Sequence, residues 1–303
     1  MRIKAADFPK RFPPGARRWA RAAVWFAGLY IIMLVVLLAG EDRLAFAGWT
    51  FRKAWVGPPS GTVVEDAMIT APDGNIIQAW WLPPADWTPA QGALVYMHGN
   101  GENLSNCGHA LKKWRDELHL GVLGFDYPGY GHSTGTPSEQ SCYAAAQAAL
   151  DWIVREKKVA PENVTLVGQS LGGAMAIELG CRQRCRMVVT SGAFTSFPEI
   201  AQHRFFWIPA FYLVHLRFDN LSKMRELKTP MFITHGTADR SVPFSYGERL
   251  YAAVGSEPKR FYATPGHGHS QPDSAAFYEA VRGFLKETRR EGVARSGGMT
   301  KPE

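Results

Sequence analysis

The most informative stretch of this 303-residue chain is GQSLG at residues 168–172. An apolar run at 164–167 precedes it, and a helical pattern at 171–180 follows it. In that context, a G-x-S-x-G sequence forms a sharp turn that lifts the serine hydroxyl above the end of a strand. Glycine is needed at both ends of the motif because side chains there would collide with neighbouring backbone. The sequence therefore predicts Ser170 as a nucleophile on a strand–turn–helix unit.

Short apolar runs and helical patterns alternate on both sides of this turn. The runs that predict strands lie at 62–70, 76–82, 93–97, 121–125, 164–167, 187–190, 231–234 and 260–263. Apolar residues recur at helical spacing in 104–118, 140–157, 171–180, 245–254 and 273–286. A turn signal, Asp73-Gly74-Asn75, joins the first two strands and predicts an antiparallel start. The pattern predicts an α/β fold, with a mainly parallel eight-stranded sheet and helices on both faces, in one domain at 60–288.

A serine hydroxyl becomes a good nucleophile only when a base removes its proton. When the nucleophile lies on a turn of this kind, the acid and then the histidine follow it along the chain. Two histidines, His267 and His269, lie late enough, in the loop sequence PGHGHS at 265–270. We predict His269 as the base, because glycines flank it in a loop that can bend over the strand end. His267 is the alternative.

The acid that orients the imidazole should lie on a loop at the carboxyl end of a strand. Asp239 fits, because it follows the predicted strand 231–234 in the sequence HGTADRSVP. Asp219 and Glu226 also lie between the serine and the histidine, but they belong to a predicted helical insert. We therefore predict Asp239 as the acid.

Two backbone N–H groups should stabilise the oxyanion that forms on the substrate carbonyl. One is predicted at Leu171, at the start of the helix that follows the serine. The other is predicted at Asn100, in the glycine-containing loop HGNGEN at 98–103. His98 ends the preceding strand and Asp126 follows a neighbouring strand, so structural roles are expected for both.

An ordered set of motifs resembles the α/β-hydrolase superfamily and, within it, the Bem46-like membrane-associated serine hydrolases. These motifs are HGNGEN (98–103), FDYPGYGHSTGTPSE (125–139), GQSLGG (168–173), RFDNLSKMREL (217–227), TPMFITHGTADRSVP (229–243) and PGHGHS (265–270). The resemblance covers roughly residues 60–288 and implies a serine esterase or lipase-like enzyme, often anchored by one N-terminal helix. The serine at position 170 argues against the dehalogenases and epoxide hydrolases of this fold, which use an aspartate nucleophile.

Residues 22–40 carry no charge and would span roughly 28 Å as a helix, close to the thickness of a membrane core. The preceding residues 1–21 hold seven basic side chains and one aspartate, whereas the whole chain has a net charge of +7. This asymmetry predicts a transmembrane signal anchor with a cytoplasmic N-terminus and a periplasmic or other extracytoplasmic catalytic domain. A cleaved signal peptide ending at Ala45-Phe46-Ala47 and a buried soluble helix are the alternatives.

The composition excludes several other classes of protein. Hydrophobic residues make up 46% of the chain and charged residues 20%, which excludes a disordered chain. Because the positive charge lies in the N-terminal segment, a nucleic-acid partner is not expected. No residue spacing is typical of a zinc site, and we predict no metal and no cofactor. The four cysteines, at positions 107, 142, 181 and 185, allow three pairings or none.

The segment at about 192–228 predicts a short helical lid rich in aromatic residues. These side chains either face the core or form an apolar wall for an acyl chain. With the predicted anchor, the second interpretation favours a small-molecule lipophilic acyl ester as substrate. A peptidase or amidase with the same triad, a thioesterase and a non-catalytic membrane-tethered binding scaffold are the alternative functions. Residues 41–59 are predicted as a linker and 289–303 as a flexible tail, and the sequence leaves the oligomeric state open.

Overall fold

The computed structural model describes residues 14–47 and 54–297 of the chain, with side chains described over 19–47 and 54–289. The chain divides into two units, Met1–Glu41 and Asp42–Glu303. Parts of three sequence predictions lie outside the described residues. These parts are 1–13 of the basic N-terminus, 48–53 of the linker and 298–303 of the tail.

Eight strands form a single sheet in the order β1-β2-β4-β3-β5-β6-β7-β8. Their bounds are β1 Glu65–Thr70, β2 Ile76–Leu82, β3 Ala93–Met97, β4 Gly121–Phe125, β5 Val164–Gln169, β6 Met187–Ser191, β7 Met231–Gly236 and β8 Lys259–Thr264. Strand β2 is antiparallel to β1 and β4, and the other neighbours are parallel. The predicted mainly parallel eight-stranded sheet is confirmed. Strand β1 begins at Glu65 rather than at 62, because its partner β2 ends before the two prolines at 83 and 84.

Ten α-helices lie within the described residues. They are α1 Pro14–Ala39, α2 Glu41–Ala45, α3 Leu104–Leu118, α4 Glu139–Glu156, α5 Leu171–Arg182, α6 Phe197–Arg204, α7 Ala210–Leu213, α8 Asn220–Glu226, α9 Phe244–Ala253 and α10 Ala275–Gly297. Helix α10 continues through 289–297, where the sequence pattern predicts a loose tail. Three arginines, one glutamate and one alanine make up five of its nine residues and favour a helix even without apolar periodicity, against the weaker helix propensity of two glycines.

The core lies on both faces of the sheet, as strand β3 illustrates. Val95 and Met97 belong to one buried cluster, together with residues of α4 and α5. Leu94 and Tyr96, which alternate with them, belong to a second cluster with residues of α3 and α10. Because successive side chains of a strand point to opposite faces, helices cover both faces, as predicted.

The predicted lid consists of three short helices, α6 to α8, between β6 and β7. Its aromatic side chains divide between the two predicted roles. Phe194 and Phe218 are buried in the core, whereas the exposed set comprises Phe206, Trp207, Phe211 and Tyr212. The lid therefore both packs on the core and presents an exposed aromatic surface.

The segment predicted as a linker is packed in part. Helix α2 occupies its first residues, and the side chain of Phe46 is 1% exposed. Further along, Trp55 meets Trp80 edge to face at 5.3 Å and stacks on His132 at 4.1 Å. The predicted linker therefore contributes side chains to the second unit, Asp42–Glu303.

Helix α1 contains Trp19–Ala39, 21 residues with a mean hydropathy of 2.6 and none of its most apolar window buried. Its length and composition suit a membrane span. A signal sequence near an N-terminus has the same properties.

Candidate active site

Ser170 lies between the last residue of β5 and the first residue of α5. Its backbone has φ 51° and ψ −112°, a conformation that L-residues rarely adopt. The Ser170 N–H donates to the carbonyl of Ser191, at the end of β6, over 2.8 Å. The strained turn predicted from GQSLG is present, and it places the serine at the carboxyl edge of the sheet.

The two glycines of the motif are required by close backbone contacts. A Cβ on Gly168 would overlap the backbone of Gly172. A Cβ on Gly172 would in turn overlap the carbonyl of Met97, at the end of β3. Gly168 therefore lets the start of α5 lie close to β5, and Gly172 lets it lie close to β3.

The structure brings His269 and Asp239 together from loops that follow β8 and β7. The Nδ1 of His269 donates to Oδ2 of Asp239 over 2.7 Å. The ring of His267 instead donates from Nε2 to the carbonyl of Ser270 over 3.0 Å. Of the two candidate histidines, His269 is therefore the one that contacts the predicted acid.

The Asp239 carboxylate is completely buried and is held by several donors. Its Oδ1 accepts hydrogen bonds from the N–H groups of Ser241 and Val242 over 2.8 and 2.9 Å. Burial alone would raise the pKa of Asp239, but the hydrogen bonds from His235 and His269 outweigh burial and hold the pKa well below its usual range. The group is therefore an anion that can stabilise a positively charged imidazole.

His235 is a second histidine on this carboxylate, and its motif alone did not predict a role for it. Its Nε2 lies 3.3 Å from Oδ2 of Asp239 and 3.0 Å from the carbonyl of Val242. Its side chain is fully buried, and Gly247 provides the space that the ring occupies. The signal was available in the sequence, because a histidine at the end of a strand precedes the aspartate by four residues.

Ser170 and His269 both contact the end of β6. The serine is bound there through its N–H, and a Cβ on Gly192 would lie 3.1 Å from Nδ1 of His269. Gly192 has φ +59°, so glycine also relieves backbone strain at this contact. Within the described residues no hydrogen bond joins the Ser170 hydroxyl to the imidazole. Since Asp239 occupies Nδ1, Nε2 is the nitrogen that can accept the serine proton.

The loop that carries Asn100 lies beside the serine. A Cβ on Gly99 would lie 3.9 Å from Cβ of Ser170. In the described part of the chain, the backbone N–H groups of Asn100 and Leu171 make no hydrogen bond. Both therefore remain available to a bound ligand.

The Asn100 side chain is itself held by three groups. Its Nδ2 donates to the carbonyl of Ala45 over 2.5 Å. Its Oδ1 accepts from the N–H of Ala47 over 3.0 Å and from the hydroxyl of Tyr130 over 2.7 Å. None of these contacts was expected from the sequence.

His98 and Asp126 form a buried pair below the same loop. His98 Nε2 lies 3.2 Å from Oδ1 of Asp126, and that oxygen also accepts the N–H of Leu104 over 2.7 Å. Burial lowers the pKa of His98. The hydrogen bond and the charge of Asp126 raise it by more than burial lowers it, so the pKa of His98 lies above its usual value. The pair connects the two ends of the loop 98–103, in keeping with the structural roles predicted for it.

The alternative acids lie at the two ends of helix α8 and not beside His269. Asp219 caps α8 by accepting the N–H of Ser222 over 3.1 Å, and Glu226 ends the same helix.

No disulfide joins the four cysteines, all of which lie in the described residues. Burial raises the pKa of Cys185 to about 12 and that of Cys181 to about 11.

The chain is similar to several known proteins. A family model described as the alpha/beta hydrolase fold matches residues 92–214. An uncharacterized protein of Mycobacterium tuberculosis is 32% identical over 269 residues, which cover 85% of this chain and 95% of that protein.

Two solved structures share the fold at low sequence identity. An acetyl xylan esterase from Paenibacillus sp. R4 has a TM-score of 0.61 and 16% identity. The match covers 82% of this chain and 93% of the esterase chain. Est1E from Butyrivibrio proteoclasticus, with ferulic acid bound, has a TM-score of 0.62 and 18% identity. The match covers 74% of this chain and 100% of the Est1E chain. The strand order of the sheet, the strained turn at Ser170 and these structural neighbours all indicate the same fold.

Proposed function

Because this chain belongs to the alpha/beta hydrolase superfamily, we propose that it is a serine hydrolase that cleaves carboxylic esters with Ser170, His269 and Asp239. The observation that carries this proposal is the 2.7 Å hydrogen bond from His269 to a buried Asp239 anion. This pair lies at the sheet edge that also holds the strained turn of Ser170. A buried carboxylate behind an imidazole fixes the tautomer in which Nε2 accepts a proton.

The mechanism follows from these positions. His269 Nε2 removes the proton of the Ser170 hydroxyl, and the oxygen attacks the ester carbonyl. The N–H groups of Leu171 and Asn100 stabilise the resulting oxyanion. The C–O bond to the alcohol breaks, and the alcohol leaves with the proton from His269. A water then attacks the acyl-enzyme and gives its proton to His269. The bond between the acyl carbon and the serine oxygen breaks, His269 returns the proton to that oxygen, and the acid leaves.

The proposed substrates are lipophilic acyl esters handled by a membrane-anchored, Bem46-like enzyme. The exposed aromatic residues of the lid, with Phe206 at 82% and Tyr212 at 81% exposure, support an apolar substrate. The apolar helix Trp19–Ala39 and the basic residues before it support a single-pass anchor with a cytoplasmic N-terminus. The catalytic domain then lies on the extracytoplasmic side.

A fluorophosphonate probe tests the nucleophile directly. The purified full chain should be labelled and should hydrolyse acyl esters, whereas Ser170→Ala should lose labelling and reduce turnover by several orders of magnitude. A panel of esters, thioesters and amino-acid amides then distinguishes the bond type. Hydrolysis of the amides without the esters would replace the esterase with an amidase. Turnover that survives Ser170→Ala would refute the proposal.

A further inference from the structure

The main chain of Ala45–Phe46–Ala47 lies against the loop that carries Asn100. Phe46 is 1% exposed, and its ring meets Phe218 of the lid segment edge to face at 6.3 Å. On either side of it, the carbonyl of Ala45 and the N–H of Ala47 bind the amide of Asn100. We propose that this segment, residues 45–47, positions the oxyanion-binding N–H of Asn100. Phe46, Ala45 and Ala47 are thus positioning residues, and the inference rests on the proposed function.

The loop needs such a support because of its sequence. Asn100 lies between Gly99 and Gly101, and neither glycine would have a Cβ in close contact with its surroundings. Glycines on both sides leave the backbone of Asn100 with few local restraints. An N–H group stabilises an oxyanion only when it points at the position that the oxyanion will occupy. Interactions from outside the loop must therefore hold Asn100 in place.

The Asn100 amide supplies that restraint. Its donor and its acceptor both bind main chain of the 45–47 segment, and Oδ1 also accepts the hydroxyl of Tyr130. Three hydrogen bonds to one amide fix the orientation of the side chain, and through Cα they restrict the N–H of the same residue. Two of the three come from the 45–47 segment, so most of the restraint depends on it.

Phe46 holds the segment in this position. Its ring belongs to the same buried cluster as Phe218 and Leu171. Without the buried ring of Phe46, the two hydrogen bonds to Asn100 would have to hold residues 45–47 in place alone. Residues 45–47 are also the site at which the sequence allowed a signal peptide to be cleaved. A product cut after Ala47 would lose Phe46 and two partners of Asn100, and we infer that it would be a poor catalyst.

The test uses the full chain in detergent, with the variants Asn100→Ala and Phe46→Leu. Asn100→Ala keeps the backbone N–H but removes the side-chain contacts. Phe46→Leu weakens the packing of residue 46 against Phe218. Phe284→Leu is the matched control, because Phe284 is equally buried but packs against Phe232 in the other cluster. For each variant, kcat and KM are measured on an ester. The end point of fluorophosphonate labelling counts the folded active sites.

A misplaced oxyanion donor should lower kcat per labelled site by roughly tenfold to a hundredfold in Asn100→Ala, and by less in Phe46→Leu. KM should change by less than about threefold, because the donor acts in the transition state. The labelling end point should stay near one per chain while the labelling rate falls. Phe284→Leu should leave kcat per labelled site unchanged.

Two results would overturn the inference. One is a kcat per labelled site within about twofold of the wild type in Asn100→Ala. The other is a parallel loss of labelled sites and activity, which would make the segment a contributor to folding only. Hydrogen exchange of residues 98–103 distinguishes failure of this inference from failure of the proposed function. If Phe46→Leu speeds exchange there while Ser170→Ala leaves hydrolysis intact, the contact holds and the serine mechanism fails.

Discussion

At the scale of single residues, Asp239 has the most connected environment in the site. It lies on a loop, yet its carboxylate is fully buried and accepts from two backbone N–H groups and two histidines. Such a group costs free energy to bury unless its partners compensate for lost hydration. The four donors indicate a carboxylate that the fold maintains as an anion in one orientation.

Replacing Asp239 with asparagine tests its role. We expect Asp239→Asn to lower kcat/KM by about 10⁴-fold, because an amide can hold the imidazole in the wrong tautomer. Steady-state kinetics on an acyl ester measures the effect. Asp219→Asn, at a helix cap outside the site, is the matched control and should retain activity. A loss of less than tenfold at Asp239 would assign the acid elsewhere.

The second histidine makes a separate prediction. His235 donates to the same oxygen as His269 and so helps to hold the Asp239 carboxylate in one orientation. His235→Leu removes this donor and should lower kcat/KM on an acyl ester by roughly tenfold, because the carboxylate is then free to turn away from His269. His267→Gln, which makes no contact with Asp239 among the described residues, should retain activity. A loss of activity in the His267 variant alone would reverse the assignment of the base.

Asp239 also predicts a pH dependence of stability. Its pKa in the folded state lies below its value in the unfolded chain, so it stabilises the fold above about pH 4. This contribution decreases as the pH falls below that value and protons bind the unfolded chain first. Urea unfolding should show the gap between the wild type and Asp239→Asn narrowing from pH 6 to pH 3. A gap that is constant over this range would contradict the assigned pKa.

At the scale of elements, the contact between α5 and β3 holds the proposed nucleophile, Ser170, in place. It depends on Gly172, whose Cα faces the carbonyls of Met97 and His98 without room for a methyl group. The strand pattern and the helix pattern each follow from local sequence. How closely α5 approaches β3 depends on Gly172 alone among these residues.

A pair of glycine substitutions tests this contact. Gly172→Ala should destabilise the fold by about 1–3 kcal/mol, because the backbone must shift to avoid overlap. Gly283→Ala, in the exposed interior of α10 with no close neighbour, should stabilise it by roughly 0.5–1 kcal/mol. Chemical denaturation measures both. Equal effects at the two positions would show that backbone crowding at Gly172 is not the constraint.

At the scale of the whole molecule, the chain combines an apolar helix with a catalytic unit that begins at Asp42. A signal anchor and a cleaved signal peptide differ in their product. We expect the mature protein to keep its full mass of 33.6 kDa and to remain with membranes after carbonate washing. A shorter product in the soluble fraction, beginning after Ala47, would identify a cleaved signal peptide.

Much of this architecture was predictable from local sequence. Strands and helices follow from the spacing of apolar residues, and Ser170 is identified by glycines that a tight turn requires. Helix α10 extends further than predicted, because helix propensity continues after the apolar periodicity ends. The sequence favours His269 as the base and keeps His267 as the alternative, since local sequence does not state which ring faces Asp239.

Other features depend on contacts between residues far apart in the chain. The hydrogen bond from His269 to Asp239, the second histidine behind it and the attachment of residues 45–47 to Asn100 all belong to this group. Local patterns report what each segment prefers, since propensity and periodicity act over a few residues. Which side chains meet across the sheet edge depends on how all the segments pack, and no single segment carries that information.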